Sequence, residues 1–127
     1  MLPLLSPINE HLGVAVEDLD DGRVRLSLEV GPKLLNEVGL VHGGVASLLL
    51  DGAMGRAMVR TLAQGEQCAT VHLSVQFLAA APKATIRAEG RIVKRGRRVA
   101  FLEGEVVDDD GKLIARATGT WSIAPAR

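Results

Sequence analysis

The chain has 127 residues, enough for one domain with its own core and too few for two, so 1–127 reads as a single domain. Hydrophobic residues make up 47% and charged residues 24%, which excludes a disordered chain. Formal net charge is zero and aromatic residues are 2%, which argues against a nucleic-acid partner both by charge and by base stacking.

The single cysteine, Cys68, excludes an internal disulfide framework and fits a reducing compartment. The opening Met1-Leu2-Pro3-Leu4-Leu5-Ser6-Pro7 lacks the basic region and long apolar run of a secretory signal. The most apolar stretch, Val45 to Leu50, is cut off by Asp51 and is far shorter than a membrane span. The expectation is a cytoplasmic protein with no membrane partner.

In chain order, a short N-terminal segment is followed by a strand candidate, Gly13 to Asp18, and a turn at Asp20-Asp21-Gly22. Arg23 to Val30 alternates, with Val24, Leu26, Leu28 and Val30 on one face, as a half-buried strand requires. From Gly44 to about Leu62 the composition turns to Ala, Leu and Met without proline, which predicts a long helix. Its apolar residues fall almost all round, so it should be surrounded by protein. Gly52 and Gly55 each cost about 1 kcal/mol of helix propensity relative to alanine, which suggests another backbone packed against that side.

Four strands should follow. Cys68 to Leu78 would place Val71, Leu73, Val75 and Phe77 on one face; Ala84 to Lys94 ends at a turn near Arg95-Gly96. Arg98 to Val107 leads to Asp109-Asp110-Gly111, a hairpin signal, and Lys112 to Ile123 closes the chain. Short turns between consecutive strands imply antiparallel pairing. One sheet curled around one helix satisfies both patterns, an α+β architecture.

The chemistry concentrates in Asn36-Glu37-Val38-Gly39-Leu40-Val41-His42-Gly43-Gly44, followed by Asp51. His42-Gly43-Gly44 lies where the helix begins, where free N–H groups and the helix dipole favour negative charge. Glycine lets a ligand approach that backbone, which makes a candidate oxyanion hole. Asp51 is the only acid in an otherwise apolar helix, costly to desolvate without a partner or a task. The bland alternative is an ion pair with Arg56 or Arg60, or a solvated gap. Gly43 and Asp51 are eight positions apart, roughly 12 Å along a helix axis. One reacting carbonyl must lie about 3 Å from both donor and acid. If the two act together, a second copy of the chain must supply one of them, most simply in a two-fold dimer.

At these residues the sequence resembles the hotdog-fold thioesterases, and within them the acyl-CoA thioesterases of phenylacetate-pathway type. The matching positions are Asn36, Gly39, His42-Gly43-Gly44, Leu49, Asp51 and Gly55. Pro7…His11-Leu12-Gly13 and Gly111-Lys112-Leu113-Ile114-Ala115 extend the likeness over most of the chain. The resemblance implies a hotdog fold, with an antiparallel sheet of five to six strands wrapped around one long central helix. It implies that Gly43 donates its N–H to a thioester carbonyl and that Asp51 of a neighbouring subunit acts as general base or nucleophile. Asn36 would orient substrate or water, His42 would hold the loop or contact the thioester, and Thr70 would position the water.

Gly44 would join the substrate-binding backbone, and Leu48, Met54 and Met58 would line an apolar acyl pocket open to short, medium or aryl chains. Arg95, Arg97 and Arg98 would grip coenzyme A phosphates, unless the cluster with Lys94 is a solvated turn. No cofactor is implied, coenzyme A being part of the substrate; the expected assembly is a homodimer pairing into a homotetramer. Simpler readings stand beside these: His42 as a helix cap, Asn36 as a turn residue, Cys68 as a small core thiol, His11 and His72 as structural, and Asp108-Asp109-Asp110 as a solvated turn. Two other functions fit the same fold, a non-catalytic acyl-CoA binding module and a hydroxyacyl dehydratase or hydratase.

Overall fold

The sequence folds into six strands and two helices in a computed structural model that describes residues 5–82 and 85–126. Part of the signal reading at the N-terminus, and Ala84 at the start of one expected strand, lie outside the described residues. The elements run α1 (Pro7–Leu12), β1 (Ala15–Asp18), β2 (Val24–Glu29), a 3-10 turn (Pro32–Leu34), α2 (Gly43–Val59), β3 (Glu66–Phe77), β4 (Thr85–Arg95), β5 (Val99–Asp108) and β6 (Leu113–Pro125). The strands form one antiparallel sheet in the order β1-β2-β4-β5-β6-β3. After β2 the chain crosses the sheet as α2 and re-enters at the far edge as β3. This is the α+β hotdog architecture expected from the sequence, with six strands.

Helix α1 was not foreseen. Ser6 caps it by accepting from the Asn9 N–H at 3.3 Å, and Pro7 fits its first turn. Gly13, expected to open a strand, instead ends this helix, so β1 starts only at Ala15. The hairpin at the Asp-rich turn forms as expected. Asp108 accepts from the Asp110 and Lys112 N–H groups, both at 2.9 Å, and Gly111 takes the left-handed φ of +80° that closes it.

The core is where α2 meets the concave face of the sheet. Ala46, Leu49, Leu50, Ala53, Met54, Ala57 and Met58 are the helix's buried residues, spaced i, i+3, i+4 as one stripe. They pack on Leu26, Leu28, Ile86, Leu102, Val106 and Trp121. Each such leucine or methionine stabilises the fold by roughly 2 kcal/mol relative to leaving it in water. The helix is therefore buried along one stripe rather than all round, because the sheet covers only one side of it. Val45, Leu48, Gly52, Gly55 and Val59 stay half-buried.

The tightest backbone approach also differs from expectation. It comes from the sheet: a Cβ at Gly90 would lie 2.6 Å from the Met54 nitrogen. Gly52 meets only a side chain, Leu26, and Gly55 faces the Trp121 indole. In β3 the pairing with β6 shifts between Thr70 and His72, a bulge at Val71. Val71 is thrown outward at 65% exposure and Phe77 stands at 59%, so the four-residue apolar face foreseen for this strand is reduced to Leu73 and Val75.

Candidate active site

The loop before α2 is tied by Asn36. Its side-chain oxygen accepts from the Val38 and Leu40 N–H groups, both at 3.0 Å, and its own N–H donates to the Leu40 carbonyl at 2.7 Å. Gly39 makes the tight return possible at φ +82°, a conformation costly for any residue with a Cβ. The carboxamide oxygen is thus spent on the turn, which leaves only its NH2 group for a substrate. Two further bonds, Val41 N–H to the Ala81 carbonyl at 2.8 Å and His42 N–H to the Leu34 carbonyl at 3.0 Å, fix the point where α2 begins.

His42 is the N-cap of α2. Its Nδ1 accepts from the Gly44 N–H at 2.9 Å, so that donor is consumed and the imidazole is held over the helix start. A Cβ on Gly44 would collide with this ring at 2.9 Å, which is why glycine stands there. The Gly43 N–H makes no hydrogen bond among the described residues. It is the donor left free at the positive end of the helix. The Phe77 ring lies against Gly43, 3.1 Å from where a Cβ would stand.

Asp51 lies two turns further along α2, half-buried. Its Oδ1 accepts from the Thr70 Oγ1 at 2.8 Å, a bond between the helix and the sheet. The bulge at Val71 makes this possible: it lets Thr70 point toward the helix while Leu73 and Val75 beyond it do the same. The cations nearest in sequence are engaged elsewhere. Arg56 donates to both oxygens of Asp18, at 3.2 and 3.0 Å, and holds that carboxyl below its ordinary pKa against the opposing effect of burial. Arg60 donates to the carbonyls of Leu19 and Arg23. The ion-pair alternative for Asp51 is not what forms.

The remaining site residues divide. Leu48 is half-buried, but Met54 and Met58 have 0% exposure and belong to the core, so within one chain they present no pocket surface. Arg97 and Arg98 are exposed near the β4–β5 turn. Arg95 instead donates to Glu66 at 3.1 Å, to both oxygens of Thr61 at 3.4 Å and to the Gly96 carbonyl at 2.9 Å. It pins that turn to the segment between α2 and β3 and has little left for a phosphate. The Ala63 N–H and then Arg95 keep the Glu66 carboxyl below its usual range. Burial pushes the Cys68 thiol up, so it stays protonated at neutral pH and fits a packing role. His72 is exposed on β3, and His11 closes the last turn of α1.

Two neighbours of the site were not singled out from sequence. Phe77 was read only as a strand residue, and Trp121 drew no attention, although it is the register partner of Thr70. A trough of about 660 Å³ lies on the opposite face of the sheet, among Arg23, Glu89, Arg91, Glu103 and Arg116. Its charges largely satisfy one another, Arg23 with Glu89 at 2.7 Å and Arg91 with Glu103, and it is remote from Asp51. No helix among the described residues is long and apolar enough to cross a membrane.

Comparison with known proteins agrees with this fold. Residues 38–115 match the family model described as the thioesterase superfamily. A protein of Saccharolobus solfataricus, provisionally named an esterase, is 31% identical over 116 residues, 91% of this chain and 77% of its own length. A phenylacetic acid degradation-related protein of Ralstonia eutropha superposes with a TM-score of 0.86 at 32% identity, over 93% of this chain and 90% of that one. A Bacillus halodurans protein crystallised with CoA superposes with a TM-score of 0.88 at 29% identity, over 97% and 82%. The chain belongs to the thioesterase superfamily and is a thioester hydrolase of hotdog fold.

Proposed function

We propose that the protein hydrolyses acyl-CoA thioesters in a site shared by two copies of the chain. The observation that carries this reading is the pairing of a Gly43 amide at the start of α2 with a carboxylate, Asp51: among the described residues the amide has no acceptor and the carboxylate is held only by the Thr70 hydroxyl. They are roughly 12 Å apart along one helix, so the amide of one copy and the acid of the other would converge on one carbonyl. The amide receives the negative charge that develops on the carbonyl oxygen. Asp51 takes a proton from water, the water oxygen bonds to the acyl carbon, the C–S bond breaks, and coenzyme A leaves as a thiolate that is then protonated. In the covalent variant Asp51 attacks the acyl carbon, the C–S bond breaks and coenzyme A leaves as the thiolate, and water then opens the resulting anhydride to the free acid and the Asp51 carboxylate. His42 holds the helix start in place, and Asn36 holds the loop that leads to it.

The half-buried side of α2 and the long edge strand β3, which carries Thr70, favour a second copy as the missing partner. An unpaired edge of 12 residues is a ready template for another strand. Pairing of dimers into a homotetramer is the larger assembly we favour. The Bacillus halodurans neighbour with CoA supports an acyl-CoA substrate, with Arg97 and Arg98 free for its phosphates. The Ralstonia eutropha neighbour supports the phenylacetate-pathway type, and with it an aryl acyl group. This chemistry calls for no separate cofactor, and a cytoplasmic setting suits the free thiol of Cys68.

Asp51→Asn tests the reading. Thiol release from phenylacetyl-CoA should fall by about two orders of magnitude or more while the thioester still binds. Undiminished release would refute the role of Asp51, and a wild type that binds thioesters without cleaving them would make the protein a binding module.

A further inference from the structure

Phe77 ends β3 beside the start of α2, and the chemistry above gives it no task. Its register partner on β6 is Ala115, which pairs in turn with Val106 on β5. Side chains of such a row share a face of the sheet, and Ala115 and Val106 both lie in the core that α2 covers. Phe77 therefore points to the helix side too. It is nonetheless 59% exposed, because β3 is an edge strand with nothing beyond it in one chain.

The phenyl ring lies on Gly43. A Cβ there would stand 3.1, 3.3 and 3.6 Å from Cε1, Cζ and Cδ1, three consecutive ring carbons. Distances so close to one another put that point over the face of the ring, since an edge-on approach along the Cε1–H bond would carry both neighbouring carbons much further out. A Cβ is about 2.5 Å from its own backbone nitrogen, so Cε1 lies within about 5.6 Å of the Gly43 nitrogen. The His42 imidazole is held over the next residue, with Nδ1 2.9 Å and Cε1 3.2 Å from where a Gly44 Cβ would be. Two rings thus stand at the first turn of α2, one over each glycine.

This arrangement bears on the Gly43 amide, which has no acceptor among the described residues. Neither glycine has a side chain of its own to keep water away. A donor open to bulk water is already hydrated, and its bond to a carbonyl oxygen only replaces another of similar strength. An apolar surface on one flank removes competing waters and lowers the local dielectric, which strengthens the bond to an oxygen as negative charge develops on it.

We infer that Phe77 is a positioning residue of the reaction, an apolar wall that keeps water from the Gly43 amide and reserves that donor for the thioester oxygen. The inference rests on the hydrolase reading and deepens it. Its effect runs through the amide and requires no grip on the acyl group, which separates Phe77 from a residue that lines the acyl pocket.

The test measures phenylacetyl-CoA hydrolysis in Phe77→Ala, which opens the flank, and in Phe77→Leu, which restores most of the apolar cover. In the alanine variant kcat should fall roughly tenfold, a fraction of what losing the donor itself would cost, with KM changed by less than about twofold. The leucine variant should regain most of that kcat. An unchanged kcat in the alanine variant, or a leucine variant equally impaired, overturns the inference. So does a fall in kcat that disappears at protein concentrations where sedimentation shows the dimer restored, since the ring would then serve the contact between copies.

A binding measurement separates the amide from the acyl group. Phenylacetonyl-CoA is an uncleavable ketone whose oxygen accepts from the amide, whereas the thioether 2-phenylethyl-CoA has no carbonyl. The wild type should hold the ketone more tightly, and Phe77→Ala should lose affinity for the ketone several-fold and for the thioether hardly at all. Equal losses for both ligands would make Phe77 a pocket residue and overturn the inference, even in a protein proven to hydrolyse thioesters. A wild type that cleaves no thioester, yet prefers the ketone until Phe77 is removed, upholds the wall and sinks the hydrolase reading instead.

Discussion

Gly90 in the middle of β4 lies beneath Met54 so closely that a Cβ would stand 2.6 Å from the Met54 nitrogen and 2.7 Å from the Ala53 carbonyl carbon. The helix that carries Asp51 is thus seated on the sheet by contact between two backbones. Gly90→Ala should cost roughly 1–3 kcal/mol, because no rotamer change can relieve a clash with main-chain atoms. Calorimetry should show a Tm lower by about 5–10 °C. Gly55→Ala is the contrast: its Cβ would meet only Trp121 at 3.9 Å, and the gain in helix propensity, up to about 1 kcal/mol, should leave Tm unchanged or raised. Equal losses in both variants would show that the seating is not specific to Gly90.

In the proposed reaction Thr70 would act through Asp51, to which its hydroxyl donates, as a positioning residue. Thr70→Val keeps the shape and removes the donor, leaving a half-buried carboxylate without its hydrogen bond. A hydrogen bond to a charged group contributes about 1.5–3 kcal/mol, so kcat should fall by roughly ten- to a hundredfold. Thr70→Ser should recover most of it with Tm close to the wild type. A serine variant as impaired as the valine one would assign Thr70 to packing rather than to the carboxylate.

How far the sequence could be read follows from which patterns are local. The alternation in β2, the Asp-rich hairpin before β6 and the composition of α2 are each decided within a few residues, and the architecture follows from them. The helix start at His42-Gly43 and the half-buried acid Asp51 were legible for the same reason: helix starts and isolated acids leave a mark in one dimension. The bulge at Val71 left none, because it arises from the pairing of β3 with β6, and it alone explains why Thr70 faces the helix and Val71 does not. Arg95 looked like its neighbours Arg97 and Arg98 in sequence, and only Glu66 and Thr61, about thirty residues earlier, distinguish it.

The pairing of Asp18 with Arg56 and Arg60 joins β1 to the C-terminal half of α2, and it sets a pH dependence. The hydrogen bond from Arg56 lowers the folded-state pKa of Asp18 relative to the unfolded chain, where an aspartate titrates near 3.9. Stability from this pair is complete above that unfolded value and is lost as pH falls through the lower, folded one. Asp18→Asn should therefore reduce Tm at neutral pH and flatten its decline below about pH 4. Parallel Tm curves for variant and wild type across that range would show that the link contributes nothing.

The proposed sharing of the site between two copies leads to a prediction that no single-chain arrangement can meet. Proline suits the first position of a helix and lacks an N–H, and His42 already has the extended ψ of 133° that a following proline requires. Gly43→Pro should thus remove the proposed oxyanion donor with little cost to the helix, the Phe77 ring being exposed enough to move aside. Alone it should lose about two to three orders of magnitude in kcat. Mixed with Asp51→Asn after denaturation and refolding, half the dimers would be heterodimers, each with one site combining an intact amide and an intact acid and one site lacking both. The mixture should recover about a quarter of wild-type activity, the value two-fold symmetry dictates. If it stays as inactive as its two components, Gly43 and Asp51 do not meet across a dimer interface and the proposed assembly of the site is wrong.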